Sequence, residues 1–272
     1  MKTRDQQNVA FLQWALPKMG YRWAGFRKPR NQVMKRVWQR AGDLGFKSLE
    51  EYRAYLKIHT DEWGKLDSLM DVTISRFFRD RKLWDDLSDK IFSEMAKKHS
   101  SDPVRIWSAG CCNGEEPYSV CIAAEKTGVY SQINVLAADR NPEALRRAKK
   151  GHYPPSSLKE LSKKEKEQFF HWNEQNHLFE VHNRLKRQVT FEKRNISNSL
   201  PDGTFDLIFC RNLAFTYFLE DEQKKFLKNI TDLLRDGGCL VIGSNETLPD
   251  SASFHQPNRS IPVYHYQHKR EI

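Results

Sequence analysis

One segment in the first half of the chain combines the residues best suited to binding a polar ligand. The apolar run Val104–Trp107 predicts a buried strand, and Gly110 and Gly114 follow it. A helical pattern then restarts at Glu115-Glu116. A strand, a glycine-containing turn and a helix together direct backbone N–H groups at a ligand, and glycine lets the backbone approach it closely. Because two carboxylates at the helix start would repel a phosphate, the segment favours a cationic or hydroxyl-bearing cofactor.

A further acidic residue lies where the ribose of a nucleoside cofactor would be expected. The apolar run Ile133–Ala138 predicts a strand, and Asp139 follows it directly. A carboxylate at the end of the second strand of such a sheet can accept hydrogen bonds from ribose hydroxyls. The alternative is that Asp139 caps the helix predicted over Pro142–Lys150. The residues by themselves leave both interpretations open.

The elements that must hold these residues alternate between strands and helices. Such alternation predicts an α/β domain with a doubly wound parallel sheet. Further strands are predicted at Phe205–Cys210, Cys239–Ile242 and Ile261–Tyr266. The amphipathic pattern of Glu220–Arg235 predicts a helix that the following glycine pair stops.

Residues 1–100 carry a helical pattern instead. In the helix predicted over Asn31–Leu44, apolar residues repeat on one face. The other face is basic without interleaved acids, which is commonly just a solvated surface, although its density favours an acidic partner. A helix over Trp84–Met95 and a linker over Lys97–Pro103 are predicted next. We expect the basic cluster to point outward: Arg27, Lys28, Arg30, Lys35, Arg36 and Arg40.

Residues 152–194 interrupt the alternation of strands and helices. Two capping-box patterns, beginning at Ser157 and Ser162, predict helical turns in a lysine-rich stretch. The short alternating segments His177–Val181 and Gln188–Glu192 predict a β-hairpin. The stretch is therefore predicted to be an insertion with its own small β-structure.

The composition limits the classes of protein to which the chain can belong. Its 272 residues carry a net charge of +10 and a pI of about 9.3, which favours an acidic partner, either nucleic acid or a negatively charged protein. No apolar run approaches the ~18 residues of a membrane span, and the N-terminus is too polar for a signal peptide. The five cysteines lack C-x-x-C spacing, which disfavours a zinc site or a disulfide framework. We therefore expect a cytoplasmic monomer that does not insert into a membrane.

Several strings resemble those of the CheR family, the chemotaxis-receptor glutamate methyltransferases. The most specific are GEEPYS at Gly114–Ser119 and FDLIFCRN at Phe205–Asn212. The segment Phe77-Phe-Arg79 and the loop Gly243-Ser-Asn-Glu246 also resemble family motifs. The resemblance runs from about Gly25 to that loop, with the motifs in the family's order.

This resemblance implies the domain organisation. A Rossmann-like class I methyltransferase domain would occupy residues 99–272, preceded by a small all-α domain over residues 1–98 that recognises the acceptor. Residues 152–194 would form an inserted helix and β-subdomain, which in some family members docks a receptor tail peptide by strand addition. A flap that only covers the sheet is the alternative for this insertion.

The resemblance also implies the cofactor, S-adenosylmethionine, with S-adenosylhomocysteine as its product. By this resemblance, Glu115 would pair with the α-amino group of the cofactor, Asp139 would bind its ribose and Asn195 would lie at its adenine. The positions that match or nearly match the family's cofactor site are Thr73, Ser75, Arg79, Gly110, Glu115, Asp139, Asn195, Ile196, Cys210, Arg211 and Asn212.

The candidate catalytic residues implied by the resemblance are Arg79, Asn212 and Tyr217. Arg79 would hold one oxygen of the acceptor carboxylate, while Asn212 and Tyr217 would position the acceptor or the methionine moiety. The chain departs from the family here, because four residues instead of the usual three separate Asn212 from the Tyr-Phe pair. Either Thr216 or Tyr217 would therefore face the substrate.

The implied reaction is methyl transfer to a glutamate carboxylate of an acidic protein, such as a glutamate-rich helix of a chemoreceptor. Because a glutamate is already ionised at pH 7, the reaction needs no general base. One alternative keeps the fold and cofactor but has an RNA or small-molecule acceptor, although no Asn-Pro-Pro-Tyr-like motif of RNA base methylation follows Phe205–Cys210. Another is a non-catalytic module that binds the cofactor or a peptide.

Overall fold

The computed structural model describes residues 3–94, 102–250 and 252–267, and none of the helices in these ranges is long and apolar enough to cross a membrane. The helices are α1 (Arg4–Ala15), α2 (Trp23–Phe26), α3 (Arg30–Asp43), α4 (Leu49–Ile58), α5 (Glu62–Ser68), α6 (Arg81–Asp86), α7 (Glu115–Lys126), α8 (Pro142–Lys150), α9 (Lys163–Phe169), α10 (Asn183–Arg187), α11 (Ala214–Tyr217) and α12 (Glu220–Thr231). The strands are β1 (Val104–Ala109), β2 (Ile133–Asp139), β3 (His152–Tyr153), β4 (Phe170–Asn173), β5 (Leu178–Val181), β6 (Val189–Lys193), β7 (Phe205–Cys210), β8 (Leu234–Ile242), β9 (Phe254–His255) and β10 (Val263–Tyr266).

Packing divides the chain into two compact units. The helical unit consists of Met1–Val72 and Leu213–Lys224, and the sheet unit consists of Thr73–Asn212 and Lys225–Ile272. The domain limit predicted at residue 98 and most of the linker predicted over residues 97–103 lie outside the described residues. Packing places its limit earlier, after Val72, because Phe77 and Trp84 belong to the core of the sheet unit.

In the helical unit, α3 confirms the amphipathic helix predicted over Asn31–Leu44 to within one residue at each end. Its apolar face is buried, with Val33, Met34 and Val37 at 1% exposure or less. The helix is stable in this place because that face is removed from water.

The prediction that the whole basic cluster points outward is wrong for two arginines of α3. The half-buried Arg36 donates to the backbone oxygens of Leu69 at 2.7 Å and Asp71 at 2.5 Å. Arg40 forms a two-pronged salt bridge with the buried Glu62, with nitrogen–oxygen distances of 2.9 and 2.7 Å. Both guanidinium groups therefore satisfy groups within the unit, which periodicity alone does not reveal.

The other members of the basic cluster differ in their pairing. Arg30 forms a salt bridge with Asp5 at 3.1 Å. Arg27, Lys28 and Lys35 are exposed. The cations that face solvent on this part of the helical unit are thus fewer than the sequence pattern indicates.

The sheet unit is built on seven described strands in the order β6-β2-β1-β7-β8-β10-β9. The strands β6, β2, β1, β7 and β8 run parallel, whereas β10 and β9 pair antiparallel at one side. The central strands are buried, as continuous apolar runs predict for a sheet covered on both faces. This arrangement confirms the doubly wound α/β class. The carboxyl ends of the five parallel strands lie at one edge, where such folds bind ligands.

The insertion has a different pairing from the predicted hairpin. A separate three-stranded sheet has the order β3-β5-β4, and β6 instead joins the main sheet beside β2. The predicted hairpin is therefore wrong. The helical turn α10 lies between β5 and β6. Its Leu185 is fully buried, which favours a helical turn that packs on the protein over a short hairpin loop. Of the two predicted capping boxes, only that of Ser162 and Glu165 forms, at the start of α9.

The helix predicted over Glu220–Arg235 is shorter than expected. It ends at Thr231, and β8 begins at Leu234, so that the glycine pair lies within a strand. Arg235 is held at the sheet by the buried Asp206, whose carboxylate it contacts at 3.1 Å. The pairing of β8 with β7, in which Leu234 lies opposite Phe205, is a long-range contact that helical periodicity does not predict.

Candidate functional site

The connection between β1 and α7 depends on residues in left-handed backbone conformations. Gly110 has a φ of 75°, Cys112 of 54° and Gly114 of 93°. A Cβ at Gly114 would lie 2.9 Å from the Ala148 side chain and 2.9 Å from the Tyr153 hydroxyl, closer than real contacts allow. Glycine is therefore required for the start of α7 to pack against α8. The result is the compact strand–turn–helix that the sequence predicts.

Asp139, at the end of β2, supports this turn. Its Oδ2 accepts a hydrogen bond from the backbone N–H of Cys112 at 2.9 Å, and its Oδ1 accepts from that of Asn141 at 2.8 Å. The side-chain cap of α8 is Asn141, which accepts from the N–H groups of Glu143 and Ala144 at 2.9 and 3.1 Å, whereas Asp139 contributes to the turn that precedes this helix. The carboxylate of Asp139 is thus fixed in direction at the strand end by two backbone N–H groups.

Glu115, at the first position of α7, is only 2% exposed. Its Oε1 accepts from the Ser157 hydroxyl at 3.5 Å, whereas its Oε2 has no hydrogen-bond partner among the described residues. Burial raises the pKa of the carboxyl, and hydrogen bonding to Ser75 and Ser157 only partly offsets this. A buried carboxylate oxygen without a partner is costly, so this atom is suited to a cationic or N–H-bearing ligand.

Arg79 lies in an irregular turn that precedes α6. The residues on either side of it, Phe78 and Asp80, have positive φ angles of 50° and 66°. Its guanidinium Nη1 donates to the backbone oxygen of Ile74 at 3.2 Å. Upstream, Thr73 is half-buried, and Ser75 is near enough to the Glu115 carboxylate to lower its pKa by hydrogen bonding.

Arg211, directly after β7, is buried, with its side chain 3% exposed. Its guanidinium contacts the carboxylates of Asp80 at 2.6 Å and Glu116 at 3.1 Å, and it donates to the backbone oxygen of Arg79 at 2.9 Å. The Nε atom has no partner among the described residues. The predicted cofactor residue Arg211 is thus also an internal ion-pair partner, which the sequence does not reveal.

Asn212 follows in a left-handed conformation, with a φ of 53°. Its backbone N–H donates to Glu246 Oε2 at 2.9 Å, and that oxygen also accepts from the N–H of Gly243 at 2.5 Å. Glu246 is 7% exposed and was absent from the predicted site. The signal that points to it is the resemblance of the loop Gly243–Glu246 to a family motif. Cys210, the last residue of β7, is fully buried beneath this turn.

Asn195 and Ile196 follow β6, the strand beside β2. The Asn195 side chain accepts from the backbone N–H of Ser197 at 3.1 Å, which closes a tight turn. Ile196 is 7% exposed. The preceding residue, Arg194, donates its N–H to the backbone oxygen of Asp139 at 2.9 Å, so that this turn is tied to the end of β2.

The remaining candidates, Thr216 and Tyr217, belong to the helical unit. The backbone oxygens of Thr216 and Tyr217 accept from the Nε and the backbone N–H of Arg22, at 2.9 and 2.8 Å. The Tyr217 ring packs on Phe26, with centroids 4.9 Å apart. Both side chains are half-buried, so their exposure does not distinguish which of the two faces the substrate.

The sheet order explains which candidates come together. Gly110, Asp139, Asn195 and Asn212 follow the carboxyl ends of β1, β2, β6 and β7, which are neighbours in the sheet. Parallel strands place these ends at one edge, where backbone N–H groups, a directed carboxylate and a buried unpaired carboxylate oxygen occur together. Such a combination at the switch point of a doubly wound sheet suits a nucleoside cofactor that carries a cationic end.

Comparison with known proteins identifies the family. The family described as CheR methyltransferase, SAM binding domain, matches residues 73–263. A chemotaxis protein methyltransferase of Listeria innocua is 31% identical over 187 residues, covering 69% of this chain and 70% of that protein. A probable chemotaxis protein methyltransferase of Rhizobium etli is 31% identical over 247 residues, covering 87% and 91% of the two chains. The chain belongs to the CheR methyltransferase family and is an S-adenosylmethionine-dependent methyltransferase.

The residues present fit this cofactor. The unpaired Glu115 oxygen suits the ammonium group of its methionine moiety, and Asp139 is directed by two backbone N–H groups. The left-handed Gly110 and Gly114 let the backbone approach a ligand closely. The interpretation as a non-catalytic binding module is set aside by the family assignment.

Proposed function

We propose that the chain methylates glutamate carboxylates of a chemoreceptor, forming carboxyl methyl esters. Its Listeria innocua relative is a chemotaxis protein methyltransferase and its Rhizobium etli relative a probable one, which supports a receptor as the acceptor. The observation that carries the proposal is the guanidinium of Arg79. It makes one side-chain hydrogen bond among the described residues, to Ile74, so that further donors remain for a carboxylate. The planar fork of an arginine matches two carboxylate oxygens.

The proposed chemistry needs alignment more than proton transfer. When bound, the cofactor supplies a methyl group on a positively charged sulfur, and its transfer to a carboxylate oxygen leaves S-adenosylhomocysteine. A glutamate acceptor with a pKa of about 4.3 is already ionised at pH 7, so no residue of this chain has to remove a proton. Arg79 would hold one carboxylate oxygen so that the other faces the methyl group. Alignment of this kind contributes about 7–11 kcal/mol to lowering a barrier.

The other site residues have proposed roles that follow from their placement. Glu115 would bind the ammonium group of the methionine moiety, and Asp139 would accept hydrogen bonds from the ribose hydroxyls. Thr73 and Ser75 precede Arg79, and we assign them to the cofactor's surroundings, with Asn195 and Ile196 at the adenine. Asn212 and Tyr217 would position the acceptor or the methionine moiety.

The exposed cations of the helical unit support an acidic acceptor. Arg27, Lys28 and Lys35 are exposed, and positive surface charge attracts a negatively charged partner over a Debye length of ~8 Å at physiological salt. Arg36 and Arg40 do not belong to this surface, because they are paired within the unit. A glutamate-rich receptor helix has the charge that such a surface would select.

The chemistry of the product tests the proposed acceptor. Purified protein is incubated with radiolabelled S-adenosylmethionine and a glutamate-rich cytoplasmic fragment of a chemoreceptor, and the product is then treated with mild alkali. A carboxyl methyl ester releases labelled methanol under these conditions. Label that stays bound after alkali, or label that appears only when RNA replaces the receptor fragment, would overturn the glutamate proposal.

The role of Arg79 is tested separately by Arg79→Ala and Arg79→Lys. Arg79→Ala should lower kcat/KM for methyl transfer by more than about a hundredfold, because it removes alignment of the acceptor, while S-adenosylmethionine affinity changes little. Arg79→Lys keeps the charge but loses the fork, and should recover only part of the rate. Equal losses in transfer and cofactor affinity would instead make Arg79 a cofactor residue.

A further inference from the structure

We infer that Glu116, Arg211 and Asp80 form a clamp that positions Arg79, and that Glu116 acts on methyl transfer through it. The inference rests on the proposed role of Arg79 in holding the acceptor carboxylate. Glu116 is the second acid of the GEEPYS string, whose first acid, Glu115, is assigned to the cofactor. Its side chain points to Arg211 and Ser108.

The backbone around Arg79 needs external support. Phe78 and Asp80 both have positive φ angles, 50° and 66°, a conformation that costs energy for residues other than glycine. Such strain persists only where the surroundings hold it. On one side the turn is held by Phe78. Its ring is buried, with the residue 2% exposed, and its N–H donates to the Ser119 hydroxyl at 3.0 Å.

The clamp supplies the support on the other side. Arg211 donates to the backbone oxygen of Arg79 at 2.9 Å and pairs with Asp80 at 2.6 Å, so that it grips two consecutive residues of the turn. Glu116 pairs with the same guanidinium at 3.1 Å and accepts from the Ser108 hydroxyl at 2.8 Å. The chain of contacts therefore runs from β1 and α7 through Arg211 to the turn that carries Arg79.

Burial makes the pair of Glu116 and Arg211 within this clamp rigid. The side chain of Arg211 is 3% exposed and that of Glu116 is 13% exposed, so that neither salt nor water screens their pairing effectively. Among the described residues the Glu116 carboxylate contacts Arg211 and Ser108 and reaches the turn only through Arg211, which makes Glu116 a positioning residue. Neutralising Glu116 would let the guanidinium of Arg211 shift toward Asp80 and loosen its grip on the Arg79 carbonyl.

The first test is Glu116→Gln, which keeps the shape of the side chain and removes its charge. We expect kcat for methyl transfer to the receptor fragment to fall between about 10- and 100-fold, because small misplacements of an aligning group have effects of this size. S-adenosylmethionine affinity should stay within about twofold. The matched control is Glu143→Gln, which removes a charge from the surface pair with Arg146 and should change neither quantity.

A double-mutant cycle separates positioning from general stability. If Glu116 acts through Arg79, adding Glu116→Gln to Arg79→Ala should lower kcat by less than about twofold further. Losses that multiply in the double variant would overturn the clamp while leaving the proposed function intact. An Arg79→Ala variant with unchanged transfer would instead refute the role of Arg79, and the clamp would fall with it.

Hydrogen exchange provides a readout that needs no acceptor. The N–H groups of Phe77 and Phe78 are hydrogen-bonded to Ser157 and Ser119, at 3.0 Å each. Glu116→Gln should speed exchange in peptides covering residues 77–80 by about tenfold, with the central strands unchanged. Should Glu116→Gln not fold, Ser108→Ala removes only one bond to Glu116 and should give a smaller change in the same direction. Unchanged exchange at residues 77–80 in a folded variant would overturn the clamp.

Discussion

Two buried glutamates, one in each compact unit, have opposite surroundings. Glu62 in the helical unit is 3% exposed, and Glu115 in the sheet unit is 2% exposed. Glu62 accepts from Arg40 and from the Tyr52 hydroxyl at 2.8 Å, and the hydrogen bonds from Arg40 hold the pKa of its carboxyl below the usual value. Glu115 has an oxygen without a partner among the described residues, and burial raises its pKa.

The difference shows how to tell a structural charge from a functional one. Both carboxylates are almost fully removed from the solvent-accessible surface, so that exposure alone does not distinguish them. Glu62 offsets the cost of desolvation with partners within its own unit, whereas Ser75 and Ser157 offset only part of that cost for Glu115 and leave its Oε2 for a ligand. A buried charge that lacks an internal partner is thus the better indicator of a binding site.

The largest effect is expected from removing Glu62. Glu62→Ala leaves Arg40 and Tyr52 without their acceptor, so we expect a loss of about 3 kcal/mol in the free energy of unfolding. The value lies at the lower end for buried pairs because the Arg40 side chain is 30% exposed. Urea denaturation measures the loss. Glu50→Ala, at an exposed position of α4, is the matched control and should cost less than about 0.5 kcal/mol.

Glu115→Gln should weaken cofactor binding without lowering the stability of the protein. The apo protein should be as stable as the original or more stable at pH 7, because a carboxylate with a buried unpaired oxygen is replaced by a neutral amide. S-adenosylmethionine affinity should fall by about 1.5–3 kcal/mol, the value of a charge-assisted hydrogen bond. Calorimetry and thermal unfolding measure the two effects. A destabilised variant with unchanged affinity would make Glu115 a structural residue like Glu62.

The pH dependence of stability should separate the same two residues. The lowered pKa of Glu62 means that its contribution is present above the unfolded value of about 4.5 and is lost as the pH falls through the folded value. The raised pKa of Glu115 means that its contribution is present below about 4.5 and is lost as the pH rises through the folded value. Comparing each variant with the original chain should therefore show the Glu62 effect as the pH falls below about 4.5 and the Glu115 effect as the pH rises above it, with slopes of opposite sign.

Two further variants compare Asp139 and Asn141, which lie close together at the end of β2. Asp139→Ala should weaken S-adenosylmethionine binding by about 1.5–3 kcal/mol, because the proposed ribose acceptor is lost. Asn141→Ala removes the cap of α8 and should cost about 1 kcal/mol of stability with little change in affinity. If Asp139→Ala bound S-adenosylmethionine as tightly as Asn141→Ala does, the assignment of Asp139 to the ribose would be wrong.

The smallest effect is expected at the exposed cations. Lys35→Glu should lower kcat/KM for a glutamate-rich acceptor by about two- to threefold at physiological salt, and the difference should shrink at high salt. Stability should not change because Lys35 is exposed. Lys47→Glu, also exposed in the helical unit, is the control. Equal losses in both variants would indicate net charge alone.

The sequence predicts periodic elements well and paired charges poorly. The apolar runs of β1, β2 and β7 and the amphipathic face of α3 are local patterns, and the structure confirms them. Arg36 and Arg40 were assigned to the outer face because helical spacing says nothing of the partners supplied by distant residues such as Glu62. Long-range pairing is the information that periodicity lacks.

The same limit applies to the candidate site. The glycine turn, Glu115 and Asp139 follow from types and spacing, because strand ends and helix starts are local features. Glu246 was missed, since its role depends on reaching back from the loop after β8 to the N–H of Asn212. The hairpin predicted in the insertion failed for a similar reason, because β6 pairs with β2.

The discontinuous helical unit has a consequence for protein synthesis. Its segment Leu213–Lys224 leaves the ribosome long after Val72, and at usual rates of elongation the delay is on the order of ten seconds. Until then, Arg22 lacks the carbonyl acceptors of Thr216 and Tyr217. The rings of Tyr21 and Phe26 likewise lack their packing against Phe218 and Tyr217 during that interval. The helical unit therefore begins before the sheet unit but is complete only after Thr73–Asn212 of the sheet unit have been made.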